Sequence, residues 1–122
     1  MEIVQIGNTD CLLRRFPLAH PNYIREDGSV SSYAYCPDKA DADGLSVDLE
    51  KLTNQKNTVL DPHKFSLLKI QAGDVRSIEG LNCEHNPLQE NYAHSLIIGR
   101  ITKGKRNQLI NLSHRIPQAE LI

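Results

Sequence analysis

Ala93-His94-Ser95-Leu96-Ile97-Ile98-Gly99 is the stretch on which the fold turns. Three consecutive large aliphatic residues, two of them β-branched, stop at a glycine too soon for a helix. That is the pattern of a short buried strand. Working outward, Phe65-Ser66-Leu67-Leu68-Lys69-Ile70-Gln71 has the same character. Cys11-Leu12-Leu13-Arg14-Arg15-Phe16 reads as another strand, ended at Pro17 by the loss of a backbone donor. Glu2 to Ile6, Ser29 to Tyr35 and Leu81 to His85 complete the set, the second by its alternation of Val, Ser and Ala with Ser and Tyr.

The segments between these runs are short. Leu18 to Asp27 is a polar loop with a turn at Asp27-Gly28, and Cys36 to Gly44 is a loop rich in Asp, Pro and Gly. Leu45-Ser46-Val47 is a brief extended piece, after which Asp48 is suited to cap a short helix reaching Asn54, with Leu49 and Leu52 inward. Asn54 to His63 reads as loop, Ala72 to Glu79 as a helix stopped by Gly80, and Asn86 to Asn91 as a turn. Thr102 opens a C-terminal helix that places Leu109, Leu112 and Ile116 on one face until Pro117. No helix precedes residue 45, which disfavours parallel crossovers. The expected fold is α+β, with a largely antiparallel or mixed sheet, short helices and a C-terminal helix.

Length sets the number of domains: 122 residues make one domain, spanning 1–122. With 39% hydrophobic and 24% charged residues, the chain has the composition of a packed globule and not of a disordered segment. Cys11, Cys36 and Cys83 are odd in number and lack a Cys-x-x-Cys pair, so reduced thiols are expected in place of a disulfide framework or zinc site. No apolar run approaches the ~20 residues of a membrane span. The opening residues lack the basic-then-apolar order of a signal peptide, so the expected location is the cytoplasm. A net charge of −1 argues against a duplex-DNA partner, and six aromatics without a tryptophan supply a stacking platform poorly.

Candidate site residues lie mostly in the first half. Arg14 and Arg15, adjacent on a strand, point to opposite faces, and one guanidinium is a candidate ligand for phosphate or carboxylate. His20, in the loop that follows, and His94, on the strongest strand, are the candidate acid–base groups. Ser31 and Ser32 offer small hydroxyls, with Ser32 as a candidate catalytic residue and Ser31 as a ligand contact. Asp48, beside Ser46, is an acceptor suited to orienting a histidine or holding a ribose hydroxyl. No Gly-x-Ser-x-Gly elbow surrounds any of these serines. Lys103 and Lys105 crowd a helix N-terminus, where a bound phosphate would relieve their conflict with the helix dipole. The five histidines form no metal-binding pair at helical spacing, and neither a metal nor a cofactor is expected.

The order Arg14-Arg15-x-Pro17-x-x-His20, Ser31-Ser32-x-Ala34, Leu45-Ser46-Val47-Asp48 and Asn91-x-Ala93-His94 resembles a set of small uncharacterised bacterial proteins, over residues 12 to 100. That resemblance implies no activity. A fainter one is to ADP-ribosyltransferase-like folds, which place an arginine or histidine on an early strand and a Ser-x-Ser or similar strand next, as Arg14 and Ser31-Ser32 do here. Those folds want a later glutamate, for which Glu84 or His94 would have to substitute.

Two functions follow as expectations. The first is a small accessory or binding domain working with a larger protein partner, favoured by length and the lack of a complete catalytic motif. The alternative is a small enzyme acting without a metal on RNA or a nucleotide, as a ribonuclease or an ADP-ribosyl-handling enzyme. The enzyme requires Arg, His and Ser to meet in one pocket, whereas the binding domain should present an apolar groove.

Overall fold

Every strand pairing among the described residues is antiparallel. The structure, a computed structural model, describes residues 1–37 and 43–122. Its strands are β1 (Cys11–Pro17), β2 (Leu45–Leu49), β3 (Phe65–Gln71), β4 (Asn82–His85), β5 (His94–Ile98) and β6 (His114–Arg115). They form one sheet among the described residues, in the order β4-β5-β2-β1-β3-β6. The α-helices are α1 (Gln55–Val59), α2 (Ala72–Ser77), α3 (Lys103–Leu112) and α4 (Gln118–Leu121), and 3-10 turns cover Ser32–Tyr35 and Glu50–Leu52. The fold is α+β. No helix of the described residues is long and apolar enough to cross a membrane.

The sheet is packed on both faces. Leu12 and Phe16 of β1 point into the larger core with Leu45, Val47 and Leu49 of β2, Leu68 and Ile70 of β3, and Leu109 of α3. Leu13 points the other way, into a smaller core with Val59, Leu67, Ile116 and Leu121. Alternation along β1 thus feeds two cores. The smaller core covers one end of its face and leaves the rest to polar residues.

Several expectations are corrected. Residues 2–6 form no strand; their backbone polar groups go to side chains, as described below. The stretch from Ser29 to Tyr35 is not a strand either. Ser31 turns its hydroxyl back onto the Tyr33 amide (3.2 Å) and caps the Ser32–Tyr35 turn, a local bond that competes with pairing. Asp48 is no helix cap but a β2 residue paired with Leu13 and His94. The loop read over Asn54 to His63 contains α1, with the Asn54 side chain accepting from the Asn57 amide at 2.8 Å. The C-terminal helix ends at Leu112, where Ser113 breaks it, so Ile116 joins the smaller core instead of sharing a face with Leu109. Of the loop read from Cys36 to Gly44, residues 38–42 lie outside the described residues.

Candidate functional site

On the partly uncovered face, strand register sets Leu13, Asp48 and His94 in one row across β1, β2 and β5. Ser46 and Leu96 pair in the next row. Side chains on one face at paired or diagonal positions meet, so Ser46 lies within reach of His94. The turn after β4, α1 and Arg15 raise the walls. The result is a cleft of about 500 Å³ lined by Arg15, Ser46, Asp48, Thr58, Asn91 and His94, among others. That is the size of a small-molecule site.

The histidine's protonation follows from its partners. His94 Nδ1 lies 2.7 Å from the Asn86 carbonyl oxygen, which can only accept, so Nδ1 carries the proton. In the neutral ring Nε2 then presents a lone pair, and the Ser46 hydroxyl donates to it at 3.2 Å. The carboxylate beside it is fixed at both oxygens. Thr58 Oγ1 donates to Asp48 Oδ2 and Asn91 Nδ2 to Asp48 Oδ1, each at 2.8 Å. Each carboxylate oxygen keeps accepting capacity for a hydroxyl in the cleft. Thr58 also ties Asp48 to the cation, because its carbonyl accepts from Arg15 NH1 at 3.1 Å. The Arg15 guanidinium rests 5.3 Å from the centre of the Phe65 ring, which holds it by a cation–π contact while the residue stays exposed.

Arg14 borders the same cleft but spends its fork on the protein. Its Nε donates to Ala34 O at 2.9 Å and its NH1 to Ser46 O at 2.8 Å. The recorded β1–β2 pairs are Leu12 with Leu49 and Leu13 with Asp48. Beyond them the guanidinium supplies Ser46 O with a donor in place of a strand amide. The pair of arginines thus divides into one that secures the sheet and one that faces the cleft.

The other candidates lie elsewhere. His20 is exposed and packs edge-on against Tyr23, with ring centres 5.1 Å apart, and stacks on Tyr33 at 6.2 Å. Ser31 and Ser32 sit at the head of the 3-10 turn that packs into the larger core, on the opposite side of the sheet from the cleft. Ser31 Oγ donates to Asn22 O at 2.5 Å. Lys103 and Lys105 open α3, which packs on that same opposite side, and Thr102 accepts from the Lys105 amide at 3.3 Å. Among the described residues no three His, Cys, Asp or Glu side chains converge to hold a metal ion.

Sequence reasoning passed over Thr58, Asn86 and the role of Asn91, and treated Ser46 only as a neighbour of Asp48. The signal for Asn91 was the spacing Asn91-x-Ala93-His94: its Oδ1 accepts from the Ala93 amide at 3.2 Å, a turn that delivers His94 to β5. Neither a protein-family model, nor a curated protein, nor a solved structure matches this chain.

Proposed function

We propose that the protein is a small enzyme that acts on a nucleotide in this cleft, with His94 as the acid–base group. The observation that carries the reading is the chain Asn86 O, His94, Ser46, in which one ring nitrogen is held protonated and the other faces a hydroxyl. A histidine and an arginine can carry phosphodiester hydrolysis without a metal. As a water oxygen bonds to phosphorus, its proton passes to Ser46 Oγ while the Ser46 proton passes to Nε2. The phosphorus–oxygen bond to the leaving alcohol breaks, and the imidazolium returns the proton to that oxygen. Arg15 balances the phosphate charge, and Asp48 accepts from a sugar hydroxyl.

Lining charge selects the size of the substrate. Asp43, Asp48 and Glu90 stand in the cleft against Arg14 and Arg15, and Arg14 is committed to backbone carbonyls. A long polyanion such as RNA meets net repulsion there, whereas a single phosphate on Arg15 does not. The partner-binding alternative asked for an apolar groove. This cleft is lined mainly by polar side chains, and a second concavity beside α1 is lined by Glu50, Thr53, Asn54, Gln55, Lys56, Asn57 and Glu120.

The test begins with thermal unfolding of the protein against mononucleotides, dinucleotides, ADP-ribose and short RNA. A ligand at ~100 times its Kd stabilises by about 2.7 kcal/mol, a shift of roughly ten degrees for a domain of this size. Arg15→Ala should remove the shift. With the ligand found, His94→Ala should lower turnover by about 10²–10⁴ while leaving binding largely intact. No shift with any ligand, in a protein that unfolds cooperatively, would sink the nucleotide reading and return a protein partner to first place.

A further inference from the structure

On the other side of the sheet a second histidine does something different. His85 of β4 is 5% exposed, and both ring nitrogens are bonded to backbone. The Val4 amide donates to Nδ1 at 2.9 Å, and the Tyr92 carbonyl, which only accepts, lies 2.6 Å from Nε2. The ring is therefore neutral with its proton on Nε2, and Nδ1 is the acceptor that the Val4 amide needs. A second proton on the ring turns Nδ1 into a donor facing a donor. The bond to Val4 cannot survive that change, whereas the one to Tyr92 can.

We propose that His85 is a pH-sensitive latch on the opening segment, holding Val4 while its ring is neutral and releasing it when the ring is protonated. The segment is built to be held at separate points. Tyr92 Oη donates to Glu2 O at 2.8 Å, and the Tyr92 ring packs edge-on against His85 at 4.9 Å. Further along, Lys51 Nζ donates to Gln5 O at 3.3 Å, and Ile6 is buried in the larger core. Release is thus confined between Glu2 and Gln5, and it loosens Val4 where that side chain packs against the larger core. The ionisable groups on the surrounding elements are Glu2 and Asp10 on the opening segment, Cys83 and Glu84 on β4, His94 on β5, Tyr92, Lys51 and Arg76. Arg76 is engaged by Asn8 and Asn82, and Lys51 by Asp10. The latch reaches the cleft by continuity. The chain from His85 to Tyr92 contains Asn86 and Asn91, which hold His94 and Asp48.

Histidine is the side chain whose ordinary titration falls between pH 5 and 8. The experiment follows the Val4 amide and the His85 ring nitrogens by NMR from pH 8 to pH 5, correcting amide exchange for its intrinsic pH dependence. Protection at Val4 should fall about tenfold or more as the ring takes up its proton, and recover on return, the scale of one lost hydrogen bond. Amides of β1 and β3 should keep theirs. His85→Asn, which retains an acceptor near Nδ1 but does not titrate, should keep Val4 protected across the range. Protonation of His85 with Val4 still protected would overturn the proposal, as would a ring that stays neutral to pH 5. Neither outcome bears on nucleotide binding in the cleft.

Discussion

A guanidinium carries its donors in a rigid fork, and Arg14 uses two of them on carbonyls that lie on separate elements, Ala34 and Ser46. A lysine is a point donor that cannot span both. Arg14→Lys should therefore destabilise the fold nearly as much as Arg14→Ala, by about 2–3 kcal/mol in chemical denaturation, from the charged bonds lost. Lysine restoring full stability would show that charge and not fork geometry matters. Tyr35 gives a second residue-level expectation. Its hydroxyl is 2.6 Å from Ser113 Oγ, and Ser113 donates to Leu109 O, so the phenol must donate. Complete burial drives its pKa up to about 12. Because the folded state holds this proton more tightly, its contribution is whole below pH ~10 and is lost as pH rises toward 12. Spectroscopic titration should show Tyr35 ionising well above the ordinary phenol range; its ionising near pH ~10 would contradict this.

At the scale of elements, the end of α1 shows what a short connection costs. Leu60 has φ 65° and ψ −64°, and the Asp61 amide donates to Val59 O at 2.8 Å. That is a γ-turn of the rare, strained hand, centred on a leucine that is 67% exposed. Glycine adopts this conformation without a Cβ penalty. Leu60→Gly should raise stability by about 1 kcal/mol, relief of strain exceeding the extra chain entropy, as read by the denaturation midpoint. A loss would mean that the leucine side chain is held by contacts that outweigh the strain. Elements were legible where pattern and pairing agreed. Phe65–Gln71 has the bounds read from sequence, because its aliphatic residues meet partners on both sides. Alternation misled at Ser29 to Tyr35, where serines bond to their own turn, and the strand read over residues 2–6 failed because its partners are a histidine ring, a tyrosine hydroxyl and a lysine and not a strand.

For the whole molecule, the antiparallel α+β sheet was legible because hydrophobic pattern fixes which face each residue takes. The cleft was only partly so. Its groups come from five separate places in the chain, at Arg15, Ser46, Thr58, Asn86 and His94, and no spacing marks a set that register alone assembles. His94 and Arg15 could be named by residue type, but Asn86 contributes a backbone carbonyl, which sequence does not distinguish, and Thr58 a carbonyl and a hydroxyl from a stretch that reads as loop. The two cores are joined through β1, which sends Leu12 to one and Leu13 to the other. Leu121→Ala should cost about 2–3 kcal/mol, and all probes should still report one transition, because neither core can open without parting β1 from its neighbours. Two separated transitions would show the smaller core to be an independent unit.

Thr58 is the place where these scales meet. Its carbonyl holds Arg15, its hydroxyl holds Asp48, and the next residue, Val59, is wholly enclosed in the smaller core. Whatever draws Arg15 away from that carbonyl pulls on the helix that carries Val59. The methyl resonances of this one valine are thus a built-in gauge of cleft occupancy, placed where no ligand can touch them.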